Sequence, residues 1–211
     1  MVKLTDILKE HLIIFTRYPE PGKTKTRLIP ALGDVGAANL QRQMTEHTIL
    51  QVQELQKRRG ISWEVRFAGG NEQLMADWLG CDLVYCTQGE GDLGARMVRS
   101  LADAFASGAV QVMIIGIDCP GINADVLSEG FDQLHTHDLT LGPAIDGGYY
   151  LIGLSRLIPE LFVNIDWGTS RVLRQSVDIA ETLKISLRYL TILPDVDLPE
   201  DLPIWEHMIQ H

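Results

Sequence analysis

Short apolar runs alternate along this chain with longer amphipathic stretches. Leu12-Ile13-Ile14-Phe15 reads as a buried strand, followed by a polar loop from Arg17 to Arg27. Leu40, Met44, Val52 and Leu55 lie on or near one face of a helix spanning Val35 to Lys57. Trp63–Ala68 reads as a second strand ended by Gly69-Gly70, and Asn71 caps a short helix reaching Leu79. Leu83–Cys86 is a third strand, and Leu93, Met97, Leu101 and Phe105 repeat at four-residue spacing, a helical stripe. Val110–Ile115 is the most strand-like run and belongs at the centre of a sheet. Asn123 caps another helix, Leu139–Leu141 begins a strand, and Tyr149–Leu154 forms one more. Leu173, Val177 and Ala180 mark a helix beginning after Thr169 or Ser170, and Leu187–Leu193 is a late strand. Strands alternating with helices predict an α/β fold, a mostly parallel central sheet with helices on both faces and ligands at the carboxyl ends of its strands. No repeat, low-complexity tract or linker interrupts the pattern, so residues 1–211 are expected to form one domain.

Composition narrows the function. Hydrophobic residues make up 45% and charged residues 22%, which excludes wholesale disorder. The formal charge is −10 and only one short basic cluster exists, which argues against nucleic acid as a partner. No apolar run approaches the ~18 residues of a membrane span, and Met1–Glu10 has no signal-peptide core. Cys81, Cys86 and Cys119 are odd in number and lack zinc spacing, so they read as reduced thiols of a cytoplasmic protein. His135 and His137, two apart at a strand entry, read as solvated residues rather than metal ligands.

The basic cluster is the loop after the first strand. Arg17, Lys23, Lys25 and Arg27 place four cations within eleven positions, and Gly22 allows backbone amides to approach an anion closely. At a strand's carboxyl end this pattern points to phosphate binding, lysine giving point charge and arginine a fork. It is not a P-loop: Arg17 stands where that motif requires glycine, and Pro19 and Pro21 remove amides. Asp118 lies just beyond the central strand and before Pro120, as a candidate ligand of a hard cation or a turn cap. Gly89–Gly94 reads as a glycine-rich turn feeding a helix amino terminus. Asp146 sits in the turn Gly142–Gly148, which also suits a plain hairpin. In the tail, Asp201 is suited to support the first turn of a terminal helix, leaving Asp195 or Asp197 to face a metal.

Six segments, in order across nearly the whole chain, carry a resemblance: Phe15–Leu28, Gly91–Met97, Ile115–Pro120, Gly142–Leu154, Asp166–Ser170 and Asp195–Leu202. Together they resemble the nucleotide-diphospho-sugar transferase superfamily with the GT-A, Rossmann-like fold. More narrowly, they resemble the DUF2064 group, also called rSAM/selenodomain-associated transferase 1, a relative of 2-phospho-L-lactate guanylyltransferase. The resemblance implies a Mg²⁺- or Mn²⁺-dependent transferase acting on a nucleotide or nucleotide-sugar and a small-molecule acceptor. Lys23, Lys25 and Arg27, with Arg17 and the Gly22 turn, would hold phosphates, Lys25 next to the chemistry. Asp92, Leu93 and Gly94 would border the base and ribose. Asp118 and Asp197 would bind metal, although no Asp-X-Asp is present. Asp146, Gly147, Gly148 and Trp167 would line the sugar or acceptor side, Asp146 as general base. Glycosyl transfer stands slightly ahead of nucleotidyl transfer. A non-catalytic nucleotide-binding protein is the third alternative, and whether the chain forms a homodimer stays open.

Overall fold

The computed structural model describes residues 10–209. The reading of the amino-terminal segment therefore falls, up to Lys9, outside the described residues. One seven-stranded sheet organises the chain: β1 (Glu10–Arg17), β2 (Ser62–Ala68), β3 (Tyr85–Thr87), β4 (Gln111–Ile115), β5 (Leu139–Pro143), β6 (Tyr149–Leu154) and β7 (Leu187–Tyr189). Their order across the sheet is β3-β2-β1-β4-β6-β5-β7, which puts β4 in the middle as its apolar sequence predicts. Only β6 runs against the other strands, pairing antiparallel with both β4 and β5. The α/β, mostly parallel architecture is as expected.

Among the described residues, six α-helices cover the sheet: α1 (Ile29–Arg58), α2 (Glu72–Leu79), α3 (Leu93–Ala106), α4 (Ala124–Gln133), α5 (Val172–Thr182) and α6 (Leu202–Ile209). The period of two along β1 divides its side chains between two cores. Leu12 and Ile14 join Met44 and Val52 of α1 with Leu127 and Phe131 of α4. Ile13 and Phe15 join Met97 and Leu101 of α3 and Ala180 of α5 on the opposite face. Asn71, Asp92 and Asn123 cap α2, α3 and α4 by accepting from backbone N–H groups. Each such cap contributes about 1 kcal/mol.

Four boundaries differ from expectation. The first helix starts at Ile29, not Val35: Pro30 fits a first turn, where its missing N–H costs nothing, and a kink at Gly33 (φ 69°) follows. The third strand is Tyr85–Thr87 because residues 81–83 form the turn out of α2 and Val84 stays largely exposed. The late strand stops at Tyr189. Its partner β5 bulges at Gly142/Pro143, and pairing resumes only as a bridge between Ala144 and Leu193. Before α5, Arg171 is the flanking residue, while Thr169 Oγ1 accepts from its N–H.

Candidate functional site

β1 and β4 are adjacent strands whose crossovers leave in opposite directions across the sheet, so their carboxyl ends border a crevice suited to a ligand. A cavity of about 640 Å³ opens there. Arg17, Lys23, Lys25, Arg27, Leu93, Asp118 and Asp197 all line it. The loop after β1, the end of β4 and the carboxyl-terminal segment thus meet at one place.

Lys25 joins the three. It adopts a left-handed backbone (φ 43°, ψ 48°) that a side-chain-bearing residue rarely takes. That geometry turns the ammonium under the cavity, where the side chain is only 4% exposed. Nζ donates to Asp118 Oδ1 at 2.7 Å and to the Val196 carbonyl at 2.8 Å. Two of its three protons are therefore engaged, and one remains for a ligand. Val196 N–H donates in return to the Asp118 carbonyl at 2.8 Å, fixing the tail against β4's exit. Arg27 pairs with Asp197 at 2.6 Å with both side chains well exposed, a contact that solvent screens. Arg17 donates to the Lys23 carbonyl and shapes the loop, and Lys23 pairs with Glu20 at the surface. Gly22 lies in that turn, outside the cavity lining.

The remaining expected residues divide. Asp92 uses its carboxylate to cap α3, accepting from Ala95 N–H at 2.8 Å, and does not line the cavity. Gly94 is a close-approach position: a Cβ there would come 2.8 Å from the Phe162 carbonyl and from Trp167 Nε1. Trp167 packs on Gly94 and lies edge-on to Tyr149, and its neighbour Gly168 lines the cavity in its place. Asp146, Gly147 and Gly148 form the β5–β6 turn and stay outside the cavity lining, which the next residue, Tyr149, joins; Asp146 is exposed, and its Oδ1 accepts from Gly148 N–H at 2.8 Å. In the tail, Asp201 Oδ2 accepts from the Asp197 and Leu198 N–H groups, so it closes the short 3-10 turn Pro199–Asp201 ahead of α6 and not the first turn of α6 itself.

Electrostatics around the tail are acidic. Partial burial raises the Asp195 carboxyl above its ordinary range, and the charges of Asp146, Asp201 and Asp118 push the same way. Burial, reinforced by Asp118, Asp195 and Asp146, also holds the Cys119 thiol protonated, which removes it as a nucleophile.

Arg96, Thr16, Gln41 and Gln88 line the cavity as well, and no role was assigned to them from sequence. Arg96 Nε donates to the Gly91 carbonyl, which sets its guanidinium beside the cavity as a fifth cation. Gln41, Thr45 and Thr48 form a buried polar stripe on the sheet-facing side of α1. That stripe, on a face that should be apolar, was the available signal.

The fold has counterparts among solved structures. A provisionally assigned nucleotide-diphospho-sugar transferase from Desulfovibrio desulfuricans G20 is 29% identical, with a TM-score of 0.84 over 94% of this chain and 87% of that one. A 4-diphosphocytidyl-2C-methyl-D-erythritol synthase from Anaerococcus prevotii shares the fold at 10% identity, with a TM-score of 0.62 and 97% of each chain covered. A Methanothermobacter nucleotidyl transferase does so at 13% identity and a TM-score of 0.61, over 96% of this chain and 98% of that one. No curated protein matches the sequence. The pattern of DUF2064, described as an uncharacterized protein conserved in bacteria, matches residues 51–169. As that match spans more than half of its residues, the chain belongs to the DUF2064 family.

Proposed function

We propose that the protein is a nucleotide-dependent transferase, with glycosyl transfer from a nucleotide-diphospho-sugar as its reaction. The observation that carries this reading is the Lys25 bridge. It puts a buried ammonium against Asp118 and the tail at the ends of β1 and β4, inside a cavity ringed by Arg17, Lys23, Arg27 and Arg96. These cations bind the phosphates and stabilise the charge that develops on a departing diphosphate. Asp118 and Asp197 offer hard carboxylate oxygens for Mg²⁺ or Mn²⁺. No three His, Cys, Asp or Glu side chains among the described residues converge as metal ligands, so the donor set fits a cation whose shell substrate phosphates complete. Such an ion, when bound, neutralises phosphate charge. Asp146 is the proposed base toward the acceptor: it is exposed on the turn that leads into the cavity-lining Tyr149, and it holds that turn with one oxygen.

One observation favours a second reading. Five cationic side chains line the cavity, more than a diphosphate needs, which suits a triphosphate and nucleotidyl transfer. Incubation with nucleotide-sugar and triphosphate panels, each with and without Mg²⁺, separates the reactions. Free nucleoside diphosphate identifies glycosyl transfer, pyrophosphate identifies nucleotidyl transfer, and binding without turnover identifies a sensor. Asp118→Ala is expected to lower turnover at least about 100-fold while leaving the circular dichroism spectrum unchanged. Lys25→Ala is expected to weaken nucleotide binding about 10- to 100-fold by calorimetry, through loss of a charged hydrogen-bond donor. Wild-type values in either variant remove that residue from the mechanism.

A further inference from the structure

The cavity is also lined by apolar Ala68, Leu93 and Met97, by Arg96 between the last two on α3, and by two buried glutamines, Gln41 and Gln88. Gln88 Nε2 donates to the Thr16 carbonyl at 3.0 Å and to the Arg66 carbonyl at 3.1 Å. Backbone carbonyls only accept, so the amide nitrogen must face them and the carbonyl oxygen must face away. Gln41 Nε2 donates to Thr16 Oγ1 at 3.1 Å and to the Arg17 carbonyl at 3.2 Å, which fixes its orientation in the same manner. Each amide has two N–H donors, and both are used.

The two amide oxygens remain. Neither accepts a hydrogen bond from the described residues, and neither is sealed from solvent. The buried side-chain atoms without partners are others: Gln111 Oε1, Thr140 Oγ1, Tyr149 OH, Trp167 Nε1 and Ser176 Oγ. Because both glutamines line the cavity, their free oxygens present it with acceptors and no donors. The segment carrying Gln88 is itself fixed, since Arg99 donates to the carbonyls of Gln88 and Glu90 at 2.8 and 2.9 Å.

We propose that this part of the cavity selects a nucleobase bearing an exocyclic amino group, with the amide oxygens of Gln41 and Gln88 accepting its N–H protons. The proposal rests on the reading of the cavity as a nucleotide site. The cationic loop takes the phosphates, and the apolar side chains give the flat ring a surface. Guanine, adenine and cytosine carry the amino group; hypoxanthine and uracil lack it. A keto oxygen set against an amide oxygen brings two acceptors together and leaves both unpaired. A site built to hydrogen-bond an exocyclic amino group rejects an analogue lacking that group, here by about ten- to a hundredfold.

Nucleoside diphosphates test this, being common to both kinds of donor. The wild-type protein is titrated calorimetrically with GDP, ADP, CDP, IDP and UDP in the presence of Mg²⁺. At least one amino-bearing nucleotide is expected to bind tenfold or more tightly than both IDP and UDP. Gln41→Met or Gln88→Met is expected to narrow that ratio to under threefold. Five equal affinities, or tightest binding of UDP or IDP, overturn the base selection and leave the nucleotide reading standing. No binding by any of the five overturns both. A ratio unchanged in both variants overturns the assignment to the glutamines. If the variants do not fold, the wild-type series decides alone.

Discussion

At the scale of single residues, the site shows strain and like-charge crowding that nothing in the local sequence announces. Lys25 is one of three non-glycine residues with positive φ among those described, a conformation that costs on the order of 1 kcal/mol. Its two bonds, to Asp118 and to Val196, hold it there. Asp195 is the opposite case. Its carboxyl is raised above its ordinary value of 3.8 by partial burial and by Asp146, Asp201 and Asp118. A raised acid favours the fold only while protonated, so its contribution is full below pH 3.8 and is lost as pH rises through the raised value. At neutral pH the ionised group opposes folding. Asp195→Asn is therefore expected to raise the melting temperature at pH 7 by about 1–2 °C. The gain should shrink toward zero as the pH falls below the ordinary carboxylate range. A scan from pH 3 to pH 7 checks this, and equal melting temperatures throughout contradict it. The residues alone left Asp195 or Asp197 to face a metal, and the family resemblance chose Asp197. Only the fold shows Asp197 paired with Arg27 and Asp195 half-buried among acids.

At the scale of elements, the β5–β6 turn is set by its contact with α5. Gly147 has φ +89°, and a Cβ there would lie 2.3 Å from the Ser170 carbonyl oxygen. Its own carbonyl accepts from Leu173 N–H at 2.9 Å. The turn that carries Asp146 is thus docked on the first turn of α5. Gly147→Ala adds both backbone strain and a clash with main-chain atoms, and should cost about 2–4 kcal/mol in urea denaturation. It should also lower turnover more than nucleotide affinity, since the phosphate loop is untouched. Caps and apolar periods at this scale were legible: Asn71, Asn123 and the α3 stripe stand where the sequence put them. The short edge strands were less so. Leu83-Val84 and Thr191–Leu193 have strand composition, but a turn and a bulged partner keep them from continuing β3 and β7, and Leu193 pairs only as a bridge.

At the scale of the whole molecule, the tail closes the site. Trp205 of α6 is 6% exposed and lies edge-on to His47 of α1, ring centroids 6.0 Å apart. His47 Nε2 donates to the Pro120 carbonyl at 3.1 Å, two residues beyond Asp118. This contact anchors α6, and with it the segment that brings Val196 and Asp197 to Lys25 and Arg27. Trp205→Ala should cost about 3 kcal/mol and weaken nucleotide binding although Trp205 lies outside the cavity lining. An unchanged nucleotide affinity in a folded Trp205→Ala protein shows that the tail needs no such anchor.

By itself the sequence determined the α/β class, the central place of β4, the helix caps Asn71 and Asn123 and the basic loop at the end of β1. These are written in residues a few positions apart, where side-chain period and backbone preference act directly. Tertiary structure alone decided that β6 runs backwards, that Lys25 joins residues 93 and 171 positions away, and that Gln41 and Gln88 meet at the cavity. Those outcomes depend on which groups lose water together, and that is settled only when distant segments pack.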